Sequence, residues 1–176
     1  PANVILLITL VSLFPIFIIA GEAINNLFII IVSLIFLFIS FENKKIFFLK
    51  NYYAYLLLFF LLTLIINIFF SEYGKENYSR QLGFVRFICL IFVINFCLNF
   101  SCGLYRSTIF STWFLIFLIT AIDLFYEFIF GFNILGNTSY MPGRLSGFLG
   151  DELKIGNYFF GFFLISLTYL LDLNSF

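Results

Sequence analysis

A polar, glycine-rich stretch from Gly143 to Gly156 interrupts an otherwise apolar sequence near its end. Arg144 stands between Gly143 and Gly147, so a ligand can approach its guanidinium closely. A guanidinium pairs with phosphate or carboxylate oxygens through two parallel hydrogen bonds, each worth about 1.5 to 3 kcal/mol. The plainer alternative is an interfacial arginine that reaches lipid phosphates. We expect Arg144 to bind an anion and to take part in catalysis.

Three further bases, Arg80, Arg86 and Lys154, fall toward the same membrane face as Arg144 in the topology argued below. Arg86 lies only about 6 Å inside a predicted helix that starts at residue 82, so it can also reach the headgroups. Four bases that converge on one membrane surface predict an anion-binding site.

Two acidic residues, Asp123 and Glu127, are four residues apart and therefore share one face of a predicted helix. Asp123 lies about 10 Å from the end of that helix. A carboxylate at this depth must be paired, hydrogen-bonded or protonated. Two interpretations stay open: a role in catalysis or acceptor positioning, and a structural latch to Arg86 or Arg144.

A second acidic pair, Asp151 and Glu152, precedes the last apolar run. The Asp151 carboxylate suits the N-cap of a helix that restarts there. These negative charges offset the anion affinity of the helix terminus. We therefore expect Arg144 and Lys154, rather than the helix dipole, to hold a phosphate.

The composition indicates an integral membrane protein. Apolar residues make up 63% of the chain and charged residues 10%, against about 25% charged in a soluble domain. The net charge is zero and histidine is absent, which argues against nucleic-acid binding and against a histidine-dependent metal site or base. We expect neither a metal nor a cofactor.

Six nearly uncharged runs predict the fold: an all-α integral membrane protein, a polytopic bundle of about six transmembrane helices in a single domain of residues 1–176. About 20 apolar residues span the hydrocarbon, and each backbone amide in lipid must be satisfied within its own helix. The chain starts at Pro1 rather than Met and stops just after a helix, so we expect a fragment of a larger helical bundle. The predicted spans are 4–20, 27–41, 52–70, 82–100, 108–130 and 158–175, with a periplasmic loop at 131–157.

Basic residues in the connections indicate the orientation. Their totals are equal on the two sides, but Lys44, Lys45 and Lys50 form the densest group and favour a cytoplasmic location for that connection. The amino terminus is then also cytoplasmic. Residues 71–81 and 131–157 fall together on the outer face.

The polar residues of this region resemble the O-antigen ligase and O-antigen polymerase superfamily. In that family an arginine followed by a small residue and a glycine, then an acidic or amide pair and another glycine, leads into a transmembrane helix. The likeness covers residues 123–160 best. The matching residues are Asp123 and Glu127, the segment Gly131 to Gly136, then Gly143, Arg144, Ser146 and Gly147, then Asp151, Glu152 and Gly156.

The resemblance implies a metal-independent, multi-pass glycosyltransferase of the bacterial inner membrane that acts on the periplasmic face, in lipopolysaccharide or other cell-envelope polysaccharide biosynthesis. The donor would be an undecaprenyl-diphosphate-linked glycan, and the acceptor a lipid A core sugar or another lipid-linked repeat unit. By position, the family's diphosphate-binding role falls to Arg144, with Arg86 next. Physically, cations held in a partly dehydrated groove stabilise a diphosphate leaving group as its charge forms.

The chain also departs from the family. Members have more helices and a large periplasmic loop in the second half, where ligases carry a histidine, and this chain has neither. We therefore expect an amino-terminal fragment that is incomplete as an enzyme. The main alternative is a non-enzymatic membrane carrier, a lipid-linked-glycan flippase or an anion transporter; a scaffold whose loop only turns the chain is a third. A carrier predicts repeats around a midplane site, whereas these polar residues cluster near one face. Ligase and polymerase are not distinguished.

Overall fold

A computed structural model describes residues 2–42, 52–70, 83–100, 104–139, 141, 143–149 and 155–173. These residues form α-helices and a single turn of 3-10 helix at Gly147–Leu149, and none of them is in a strand. The α-helices are α1 (Ala2–Ser12), α2 (Phe14–Ile19), α3 (Glu22–Glu42), α4 (Tyr52–Phe70), α5 (Val85–Phe100), α6 (Leu104–Phe130) and α7 (Ile155–Leu173).

The all-α prediction is confirmed for these residues, whereas a bundle of about six spans is not. Within the described ranges two helices, α3 and α6, are long and apolar enough to cross a membrane, judged by length and composition. The apolar stretches of α1, α4, α5 and α7 are shorter. The structure therefore supports a helical protein with two candidate membrane spans.

The first predicted span, 4–20, is divided into α1 and α2 at Leu13. Pro15 has no backbone N–H, so it cannot donate to the carbonyl of Val11 four residues earlier. The indole Nε1–H of Trp113 on α6 donates to that carbonyl instead, at 3.0 Å. The Val11 carbonyl, which lacks a donor at Pro15, thus joins α1 to α6 through a hydrogen bond.

Contacts along the chain divide it into two compact units. The first unit comprises residues 1–7 and 27–101. In it the ring of Phe36 on α3 lies against that of Phe96 on α5, with 5.4 Å between centroids. The second unit comprises residues 8–26 and 102–176, and it contains the glycine-rich stretch.

Aromatic pairs join α6 to α7 in the second unit. The ring centroids of Phe117 and Phe159 are 4.8 Å apart, and those of Trp113 and Phe162 are 5.8 Å apart. Tilted and edge-on ring pairs of this kind add about 0.5 to 1.5 kcal/mol to the energy of apolar burial. They fix the first half of α7 against α6.

Large apolar side chains are exposed on several helices. Phe41 on α3, Phe70 on α4 and Phe128 on α6 are 79%, 85% and 73% exposed. In water, exposed apolar surface is usually limited on a monomeric protein. The exposed surface agrees with the lipid environment that the two long helices indicate.

Candidate functional site

The carboxyl-terminal turns of α6 carry two buried carboxylates. Asp123 is 0% exposed and Glu127 is 3% exposed. They lie one helical turn apart on the same face, as their spacing predicts. Both point toward the loop segments that follow α6, so the contacts of those segments define the site.

The Glu127 carboxylate holds the second loop segment by its backbone. The Ser146 N–H donates to both carboxylate oxygens at 3.0 Å, and the Ser146 hydroxyl donates to Oε1 at 2.9 Å. The Gly147 N–H donates to Oε2 at 2.6 Å. Hydrogen bonds to an ionised acceptor are about twice as strong as neutral ones, and successive backbone N–H groups form a natural anion nest. Glu127 is the internal anion of this nest and fixes residues 146 and 147 on α6.

Gly147 has no room for a side chain. Its φ is +54°, a conformation that L-residues with a Cβ rarely adopt. A Cβ built there would lie 3.0 Å from Leu124 Cδ2 and 3.4 Å from Asp123 Oδ2. Both the backbone conformation and the close approach to α6 therefore require glycine at this position.

Asp123 fastens the first loop segment in a similar way. Its Oδ1 accepts the Ile134 N–H at 2.8 Å. Its Oδ2 is buried and has no hydrogen-bond partner among the described residues. The two carboxylates of α6 therefore hold two different segments of the following chain, one at Ile134 and one at Ser146.

Asn133 links the two segments, and sequence analysis did not single it out. It is 0% exposed. Its Nδ2 donates to the Gly147 carbonyl at 2.8 Å, and its Oδ1 accepts the Asn137 N–H at 2.7 Å. Backbone bonds from Asn133 N–H to Asn137 and from Gly136 N–H to Asn133 close the turn, at 2.9 and 2.8 Å. The sequence signal for this turn was an asparagine followed three residues later by a glycine, since asparagine side chains pair with nearby backbone in turns.

Arg144 stands two residues before the anchored Ser146 and is exposed. Its backbone N–H donates to the Met141 carbonyl at 3.2 Å. Among the described residues its guanidinium has no hydrogen-bond or ion-pair partner. The loop thus fixes the Arg144 backbone, and the Arg144 side chain is exposed.

Arg144 borders a groove of about 590 Å³ between the end of α6, the loop and the start of α7. We call it the Arg144 groove. Arg144 is the only charged side chain among the described residues that line it. A mainly apolar pocket of this size with one charged group is typical of a small-molecule site. The lining residues are Leu124, Arg144, Leu145, Ile155, Gly156, Phe159, Phe160 and Phe163.

The structure brings several predicted site residues together. Asp123, Glu127, Ser146 and Gly147 form the buried network, and Arg144 and Gly156 line the groove. Gly143 precedes Arg144, with φ +77° and open space around it. In the described part of the chain, the partners of both carboxylates are N–H groups and the Ser146 hydroxyl, so the latch is to the loop rather than to an arginine. A catalytic role for Asp123 and Glu127 stays a prediction.

The other predicted site residues lie outside the described residues or in the first unit. Arg80, Asp151, Glu152 and Lys154 lie outside the described residues, as does the predicted N-cap at Asp151. Arg86 is the second residue of α5 in the first unit, with its guanidinium 5.0 Å from the Phe87 ring centroid. Convergence of the four bases therefore stays a prediction. Among the residues that the structure describes, no group of His, Cys, Asp and Glu is placed to hold a metal ion.

Comparisons with known proteins identify no relative. No protein-family model, no curated protein and no solved structure matches this chain.

Proposed function

We propose that this chain belongs to a membrane glycosyltransferase of the O-antigen ligase or polymerase type. In this proposal it binds an undecaprenyl-diphosphate-linked glycan at the Arg144 groove and passes the glycan to a lipid A core sugar or a lipid-linked glycan acceptor. The observation that carries the proposal is the exposed guanidinium of Arg144, which has no partner among the described residues and borders an otherwise apolar groove.

The groove is complementary to an amphiphile with an anionic head group. Phe159, Phe160 and Phe163 offer an apolar wall for an isoprenoid chain, and the Arg144 fork matches diphosphate oxygens. A soluble anion such as free phosphate would pair with Arg144 but leave the aromatic wall without a contact. A neutral lipid would contact the wall but leave the arginine unpaired. A lipid diphosphate would contact both.

The anchored loop supports a role in group transfer rather than binding alone. In the transfer, the acceptor hydroxyl oxygen bonds to the anomeric carbon and releases its proton to water. The bond from that carbon to the diphosphate oxygen breaks, and the lipid diphosphate leaves as an anion. A cation that is already in place stabilises this developing charge without reorganisation. Glu127 acts here as a positioning residue, because it holds the loop that carries Arg144.

The proposed location is the bacterial inner membrane, with several spans and a cytoplasmic amino terminus. The loop at 131–157 would face the periplasm at headgroup level. There a lipid-linked donor can enter the groove from the bilayer while its glycan stays in water.

The proposal is tested in a bacterium that lacks its own ligase and polymerase and expresses the complete gene that encodes this chain. We expect glycan display with the wild type and its loss with Arg144→Ala, at equal protein amounts. Arg106→Ala is the matched control, since Arg106 is also an exposed arginine of the second unit but lies in the first turn of α6, away from the groove. Undiminished display with Arg144→Ala contradicts the proposal. Movement of the donor across the membrane without a new glycosidic bond favours a carrier instead.

A further inference from the structure

A second cavity, of about 420 Å³, lies on another face of α7 in the second unit. We call it the Glu22 cavity. Tyr158 and Phe162 line it, one helical turn apart, whereas Phe159 and Phe163 line the Arg144 groove. Helix α7 therefore presents one face to each cavity.

Polar side chains gather in the Glu22 cavity. Glu22, Asn25, Asn157 and Tyr158 all line it. Tyr158 is 5% exposed, and its hydroxyl faces the side chain of Thr120. The Oδ1 atom of Asn25 is buried without a hydrogen-bond partner among the described residues. Because an unsatisfied buried polar atom is unfavourable, a ligand that pairs with the Asn25 amide oxygen is stabilised.

The remaining wall is apolar and partly aromatic. Phe14 and Phe162 both line the cavity. A carboxylate, two amides and a phenol hydroxyl together offer acceptors and donors beside ring faces. Hydroxyl groups on an apolar ring, as in a sugar, match this combination. An anionic ligand does not match, because it would meet the Glu22 carboxylate.

We propose that the Glu22 cavity binds an uncharged sugar of the glycan acceptor. This inference rests on the proposed function. The two sites meet at the first turn of α7, where Gly156 lines the groove and the adjacent Asn157 lines the cavity. The anchored loop also borders both, through Leu145 in the groove and Leu149 in the cavity. An acceptor sugar in the cavity is therefore held beside the head of a donor in the groove.

The chain carries its own reporter for this site. Trp113 is its one tryptophan. Its ring lies 5.8 Å from that of Phe162 and 6.3 Å from that of Phe14, two residues that line the cavity. A ligand that enters the cavity contacts these rings and changes the environment of the indole.

The experiment titrates the protein in lipid nanodiscs with glucose, galactose and N-acetylglucosamine, with glucose 1-phosphate as the anionic comparison. We expect a saturable change of Trp113 fluorescence with at least one uncharged sugar and weaker binding of the phosphate. Glu22→Gln is expected to weaken sugar binding about tenfold, the loss of one hydrogen bond to a charged group.

Two glycines of α7 allow a variant that blocks the Glu22 cavity and a control variant that does not. A Cβ at Gly161, which lines the cavity, meets nothing within 4 Å, and the same holds for Gly156 in the groove. Leucine favours a helix more than glycine does, so neither change threatens α7. Gly161→Leu is expected to abolish the sugar signal, whereas Gly156→Leu retains it.

No saturable signal with any of the three sugars, a signal unchanged by Gly161→Leu, or tighter binding of glucose 1-phosphate than of glucose overturns the inference. These outcomes leave the proposed function standing if Arg144 still governs glycan display. Conversely, glycan display that does not depend on Arg144 overturns the proposed function, whatever the sugar titration shows.

Discussion

The Glu127 carboxylate and the Ser146 backbone N–H are joined by a pair of hydrogen bonds, one to each carboxylate oxygen at 3.0 Å. The two residues are 19 positions apart in the chain. Their contact fastens Ser146 to the end of α6, and the exposed Arg144 lies two residues before this anchor.

Glu127→Gln is expected to lower the free energy of unfolding by about 1 to 3 kcal/mol, because an amide group would face buried donors that now share a carboxylate. Denaturant unfolding in detergent measures the change. Glu42→Gln, at the exposed end of α3, is the control and should change stability little. Equal unfolding midpoints for the two variants would contradict the anchoring role.

Gly147→Ala is expected to destabilise the protein more than Gly136→Ala. Both glycines have positive φ, so both changes carry the backbone penalty of about 1 to 2 kcal/mol. Only the Cβ at residue 147 would also approach Leu124, at 3.0 Å, since nothing lies within 4 Å of the Cβ at residue 136. The difference between the two unfolding midpoints isolates this contact. Equal midpoints would mean that residue 147 does not lie in close contact with α6.

Asn133→Leu keeps the side-chain size but removes both hydrogen bonds that link the loop segments. We expect faster hydrogen exchange at the Asn137 amide, which donates to Asn133 Oδ1. The expected increase is about tenfold or more, from the loss of a buried hydrogen bond. Asn137→Ala is the control, because the described contacts of Asn137 use its backbone. Unchanged protection of the 133–147 peptides in Asn133→Leu would show that the two segments are held independently.

Trp113→Phe removes the donor to the Val11 carbonyl and is expected to destabilise the protein by about 1 to 3 kcal/mol. Pro15→Ala supplies a backbone N–H four residues after Val11 that can donate to the same carbonyl. In the double variant the tryptophan change should therefore matter less. A double-mutant cycle of unfolding free energies measures this coupling. Strictly additive effects would show that Trp113 and Pro15 do not share the carbonyl.

Much of the helical structure could be predicted from the sequence, because long apolar runs leave helices as the way to satisfy the backbone in lipid. The break at Leu13 was not predicted. Pro15 alone can kink a helix or end it, and which occurs depends on the partner for the Val11 carbonyl. That partner, Trp113, comes from a distant helix that the local pattern does not reveal.

The candidate site was predicted in part. Residue type marked Arg144, Glu127 and Gly147, since charge and glycine are rare in this sequence. The partners were not predictable, because helical spacing places Asp123 and Glu127 on one face but says nothing of what meets that face. Asn133 was missed for a related reason. Asparagine is common in turns, and the burial of Asn133 depends on its contact with Gly147, which is distant in the sequence.

If Arg144 holds the diphosphate of a lipid in the groove, equilibrium binding of undecaprenyl diphosphate to the protein in nanodiscs depends on this arginine. We expect Arg144→Ala to weaken binding about tenfold or more, since at least one charge-assisted hydrogen bond is lost, while Arg106→Ala binds as the wild type does. Gly156→Leu, which fills the groove from α7, should also weaken binding. Equal affinity of Arg144→Ala and the wild type would contradict the account.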